Sequence, residues 1–125
     1  MGYRVTAQSY RAHGVLSENL DVTCEGQSEP SEIILIGAHY DSVPGSPGAN
    51  DNACGVAALL EISRGFAQRA PAPSVRFVAF VNEEAPFFYG GQMGSMGTST
   101  SYLVPRSGRS VLGTQESIRR SQIGP

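Results

Sequence analysis

Residues 33–64 read IILIGAHYDSVPGSPGANDNACGVAALLEISR. Three patterns follow one another in this stretch. Ile33–Ala38 is a short, continuous, β-branched run, the pattern of a strand buried on both faces and hence central in its sheet. Ser42–Asn52 is rich in Pro, Gly, Ser and Asn and reads as a loop, with Asn50, Asp51 or Asn52 available to cap a following helix. From Cys54 to about Gln68, the residues Val56, Leu59, Leu60, Ile62, Gly65 and Phe66 recur at helical spacing, and Pro71 and Pro73 end the helix. A second buried strand, VRFVAFV at Val75–Val81, comes next. Strand, loop, helix and strand predict a βαβ crossover, a parallel pair with its helix packed on one face.

Outward from this unit the signals weaken. Tyr3–Tyr10 alternates apolar and polar residues as a half-buried strand does, and Leu20–Cys24 reads as a second strand, with a turn at His13-Gly14 between them. Glu25–Glu32 is a polar loop. From Gly90 onward glycine, serine, threonine and arginine dominate, and only SYLVP at 101–105 or Ser117–Ile123 is compatible with regular structure.

The 125 residues suit one domain, and 40% hydrophobic and 16% charged residues with a net charge of -2 describe an ordinary globular chain. Nucleic acid is not an expected partner, because the closest basic cluster, Arg106, Arg109, Arg119 and Arg120, has no interleaved aromatics. Neither a secretory signal nor an apolar run of membrane-spanning length is present, so no membrane partner is expected. Cys24 and Cys54 lack metal-knuckle spacing and read as buried free thiols.

Functional groups of α/β sheets gather where strands end. Both buried strands here end in metal-ligand types, the first in His39-Tyr40-Asp41 and the second in Asn82-Glu83-Glu84, with Asp51 in the loop between them. One imidazole and several carboxylates suit a borderline divalent ion such as zinc. Alone, a strand-end histidine or an aspartate between asparagines is an ordinary surface, turn or cap residue. Together they occupy matching edges of neighbouring strands, which the ordinary readings leave unexplained. His13 reads as a turn residue, Met93 and Met96 as gap-fillers, and Phe87, Phe88 and Tyr89 equally as packing or as pocket lining.

Residues 33–64, with FVAFVNEE at Phe77–Glu84, resemble the zinc aminopeptidases that include bacterial leucyl aminopeptidases; glutaminyl cyclases and glutamate carboxypeptidases share that fold. The resemblance runs from about Tyr3 to Met96. It implies an α/β fold, a mixed β-sheet with helices packed on it in a three-layer sandwich, incomplete in this chain. Residues 1–96 then form part of a zinc-peptidase catalytic domain and residues 97–125 an atypical, poorly structured tail. It further implies that His39 ligates one zinc, Asp51 bridges two and Glu84 ligates the second. Glu83 acts as general base, Asp41 orients His39, the peptide after Asp51 is strained or cis, and the substrate is a peptide cleaved at its N-terminal bond.

Two ions are expected in the full-length domain, and two more ligands are implied downstream, a carboxylate and a histidine. This chain has no histidine after His39, and Glu116 is its only acidic residue after Glu84. The expectation is therefore a peptidase whose 125-residue form binds metal weakly. Its alternatives are a glutaminyl cyclase and a non-catalytic binding module of the same fold.

Overall fold

A computed structural model describes residues 2–97. Its elements run β1 (Thr6–Ala12), β2 (Val15–Cys24), β3 (Glu29–His39), an irregular π-helical turn (Ala49–Ala53), α1 (Cys54–Phe66), β4 (Pro73–Phe80) and the short α2 (Gly94–Gly97). The tail readings at 101–105 and 117–123 fall outside the described residues.

The four strands form one mixed sheet in the order β1-β2-β4-β3. β1 and β2 are an antiparallel hairpin joined at His13-Gly14, where φ is positive at both residues, 48° and 82°. A two-residue hairpin turn of the kind that follows the natural strand twist requires that conformation. β2 pairs antiparallel with β4, and β3 pairs parallel with β4 across the α1 crossover. The predicted βαβ unit is therefore present.

The expectation that Ile33–Ala38 is central is corrected. Among the described residues β3 forms the edge of the sheet, and Ile34 and Leu35 are exposed. β4 takes the central place because β2 folds back beside it, pairing Leu20 with Ala79 and Cys24 with Val75. A continuous apolar run marks a strand that can be covered, without stating which neighbour covers it.

The core lies between α1 and one face of the sheet. Val56, Leu59, Ser63 and Phe66 form the inward row of α1, at the spacing of three and four that keeps side chains on one helical face. They meet Ala38 of β3 and Val75 and Phe77 of β4, with Phe66 edge-on to Phe77 at 5.7 Å. Leu60 and Ile62 of the predicted apolar set are instead exposed. The opposite face buries Val78 and a diagonal cross-strand ion pair, Arg76 with Asp21. One helical layer is thus described, on one face of the sheet.

Tyr3 ties the N-terminal segment to α1 by donating to the Ser63 carbonyl at 2.7 Å. The Cys24 thiol donates to the same phenolic oxygen at 3.4 Å. Both cysteines are free; Cys24 is half-buried, but Cys54 is exposed and corrects the expectation of two buried thiols.

Candidate metal centre

The parallel register of β3 and β4 pairs His39 with Phe80, so both strands stop at one level. The Tyr40 amide then donates to the Phe80 carbonyl at 2.9 Å, holding the two exits side by side. Tyr40 anchors its ring outward by donating to the Glu18 carbonyl at 2.7 Å. Burial, and then the nearby charges of Asp41 and Glu18, push its phenol above the usual tyrosine range.

Asp51 reaches this edge from the loop. Gly48, in the left-handed region at φ 64°, allows the turn, since a Cβ there would press on Ser42 and on the Asp51 carbonyl. The Ala53 amide closes the turn on the Gly48 carbonyl, and the Asn52 side chain, one residue before the N-cap Ala53, accepts the first-turn Gly55 amide at 3.1 Å. Of the three proposed caps, Asn52 is the one whose side chain accepts that amide. The Asp51–Asn52 peptide is cis. The Asp51 carboxylate is largely exposed, and its Oδ1 lies 3.0 Å from His39 Nε2.

Glu83 and Glu84 follow a reversal. In an extended strand neighbouring side chains point to opposite faces. Asn82 interrupts that alternation with φ 61°, a conformation asparagine tolerates better than most residues. Its buried amide donates to Tyr10 Oη at 3.1 Å and to Ser17 Oγ at 2.8 Å. Both glutamates consequently line one cleft of about 320 Å³ with His39, Asp51, Ala85, Phe88 and Met93.

Donor atoms of His39, Asp51 and Glu84 all lie within 4.8 Å of one another. Asp41 and Glu83 stand beside this trio. Asp41 Oδ2 accepts the amides of Glu83 and Glu84 at 3.0 and 3.2 Å. His39 Nδ1 lies 3.1 Å from the Asp41 backbone carbonyl and 3.6 Å from its Oδ1. Asp41 therefore faces His39 mainly through its main chain, while its carboxylate grips the backbone of the glutamates. Glu83 turns both carboxylate oxygens toward Ser95, receiving its amide at 2.6 Å and its hydroxyl at 2.7 Å.

All five residues singled out in the sequence are thus brought to one strand edge. Phe88 and Met93 line the cleft, whereas Phe87 packs edge-on against His13 at 5.1 Å and Tyr89 is exposed. Met96 is exposed rather than filling a gap. Asn82 and Ser95 had no role in the sequence reading. Asn82 was visible as the residue before the glutamate pair, but Ser95 sits in a glycine-rich stretch that carries no periodic signal.

One imidazole and two carboxylates at this separation are a donor set for a borderline divalent ion. Comparison with known proteins points the same way. Residues 19–110 match the model of peptidase family M28. The chain is 42% identical over 102 residues to the protein YfbL of Escherichia coli, covering 75% of this chain and 31% of that one. It is similar to the structure of a zinc aminopeptidase from Bacillus subtilis at 38% identity and TM-score 0.51, covering 55% of this chain and 17% of that one. A glutaminyl cyclase from Bacteroides thetaiotaomicron is similar at 28% identity and TM-score 0.62, covering 82% and 44%. The chain spans less than a third of YfbL and under half of either structure. Its matched span covers most of its length and contains every site residue, so the chain belongs to peptidase family M28.

Proposed function

We propose that the protein is a zinc-dependent metallopeptidase of the aminopeptidase type, with His39, Asp51 and Glu84 as the metal ligands. The observation that carries this is their convergence within 4.8 Å in a cleft that also holds Glu83. Zinc held there would lower the pKa of a water molecule toward neutrality and polarise the scissile carbonyl. The other steps belong to the chain's own residues. Glu83 accepts the proton of the attacking water and returns it to the leaving amine. Asp41 fixes the backbone from which Glu83 and Glu84 project, and its carbonyl faces His39 Nδ1, where it can set the tautomer that leaves Nε2 free for a metal. The similarity to a zinc aminopeptidase supports this assignment.

Shared between two ions, these three ligands leave both coordination shells incomplete. Two ions need further donors, and after Glu84 this chain offers only Glu116 and no histidine. We therefore propose weak zinc binding by this chain, with peptide hydrolysis as the activity of the longer parent domain. Calorimetric titration with zinc tests the first part: weak, at most substoichiometric uptake is expected, and tight uptake of two ions per chain defeats it.

A second reading, cyclisation of N-terminal glutamine with release of ammonia, is favoured by the similarity to a glutaminyl cyclase. Parallel assays with an aminoacyl peptide and an N-terminal glutaminyl peptide separate the two, because only the cyclase releases ammonia.

A further inference from the structure

Glu83 and Glu84 are adjacent carboxylates lining the same cleft, yet the proposed chemistry asks one to bind the ion and the other to stay off it. Nothing in their chemical type separates them. Their surroundings do. Glu84 joins His39 and Asp51 in the donor trio, whereas each oxygen of Glu83 receives one donor from Ser95, the amide at 2.6 Å and the hydroxyl at 2.7 Å.

The place from which Ser95 acts is built into the sheet. The Asn19 side chain, wholly buried on β2, accepts the Val81 amide at 3.0 Å and donates to the Gly94 carbonyl at 3.1 Å. The Gly94 amide in turn donates to the Val81 carbonyl at 2.9 Å. A Cβ at residue 94 would overlap Asn19 and the Val81 backbone, so only glycine permits this approach. α2 is thereby fastened onto the exit of β4, and the residue after the glycine meets the carboxylate two residues beyond Val81.

We propose that Ser95 is a positioning residue that divides the labour of the glutamate pair, holding Glu83 out of the coordination shell so that it remains available as a base. The inference rests on the metal-site reading given above. Two donors occupy only part of the acceptor capacity of a carboxylate, which has about four lone-pair sites. Glu83 can therefore be held by Ser95 and still accept a proton from water. Without the hydroxyl, one oxygen of Glu83 is released beside the donor trio, where an unengaged carboxylate competes for a divalent ion.

Visible spectroscopy of the cobalt(II)-loaded 125-residue chain tests this without requiring turnover. The wild type and Ser95→Thr are expected to share one spectrum. Ser95→Ala is expected to show shifted and weaker bands as Glu83 enters the coordination shell, and Ser95→Ala combined with Glu83→Gln should return to the wild-type spectrum. Far-ultraviolet circular dichroism verifies that each variant is folded. An Ser95→Ala spectrum identical to the wild type, or a double variant that fails to revert, overturns the role of Ser95 and leaves the metal site standing. Absence of cobalt uptake by the wild type overturns the metal site and this inference with it.

Discussion

One carboxylate oxygen of Asp41 accepts the backbone amide of Glu83 at 3.0 Å, although the two residues leave different strands. The same oxygen takes the Glu84 amide, so a single side chain fixes the course of the peptide that presents both glutamates. Asp41→Ala leaves those two amides without their acceptor. The expected cost is about 1–3 kcal/mol of stability, from donors left unsatisfied. Zinc affinity should fall about 10- to 100-fold, as for other residues that hold ligands in place. Urea unfolding and zinc calorimetry measure the two effects, and unchanged zinc affinity removes Asp41 from the site.

The division between ligands and base separates along individual residues. His39→Ala, Asp51→Ala and Glu84→Gln should each abolish measurable zinc binding by this chain. Glu83→Gln should leave it essentially unchanged, and in a longer parent form should abolish hydrolysis. If Glu83→Gln weakens zinc binding as much as Glu84→Gln does, the assignment is wrong.

Asn82 is the backbone switch before the glutamates, and its two replacements differ in kind. Asn82→Ala strips partners from buried Ser17 and half-buried Tyr10, a loss of about 1–3 kcal/mol, and puts at a positive φ a residue without asparagine's tolerance of the left-handed region, for about 1 kcal/mol more. Asn82→Gly keeps the backbone conformation and should show only the first loss. Denaturant unfolding of the two variants distinguishes them; equal stabilities would mean that φ at this position is not maintained by its side chain.

How much of this was legible in the sequence follows from where each signal is encoded. The crossover was readable because its helix and strands carry their own periodicities, and the candidate metal residues because His39 and Glu84 stand at predicted strand ends with Asp51 in the loop between them. Strand order was not. The edge position of β3 follows from the pairing of Leu20 with Ala79, a contact between segments far apart in the chain. Cys54 was expected inside because a free cysteine without metal-knuckle spacing is usually buried, yet it opens α1 on the exposed side, its thiol donating to the Asn50 carbonyl at 3.1 Å. Ser95 acquires a partner only once Asn19 has fastened Gly94 to Val81.

Alkaline pH provides a test at the other end of the chain. Burial, then the hydrogen bond with Cys24 and the charge of that group, push the Tyr3 phenol from its ordinary value of 10.0 up to about 12. A phenol whose folded pKa is raised contributes stability that is complete below the unfolded value and is lost as pH rises toward the folded one. Stability should therefore fall between about pH 10 and pH 12, and Tyr3→Phe should remove that part of the slope. Unfolding free energies measured across this window, with Tyr3→Phe as the control, decide the matter; a parallel decline in both proteins assigns the loss elsewhere.

The three donor side chains come from the end of β3, the loop before α1 and the turn after β4, so the whole crossover separates the first from the last. An extended chain has no such constellation; it exists only once β4 has docked beside β3. For a metal that binds the assembled trio and not the open chain, affinity is also folding free energy, about 2.7 kcal/mol when the free ion stands at a hundred times its dissociation constant. The concentration of free metal around the protein thus helps to set how much of the chain is folded, and a chelator acts on it as a mild denaturant.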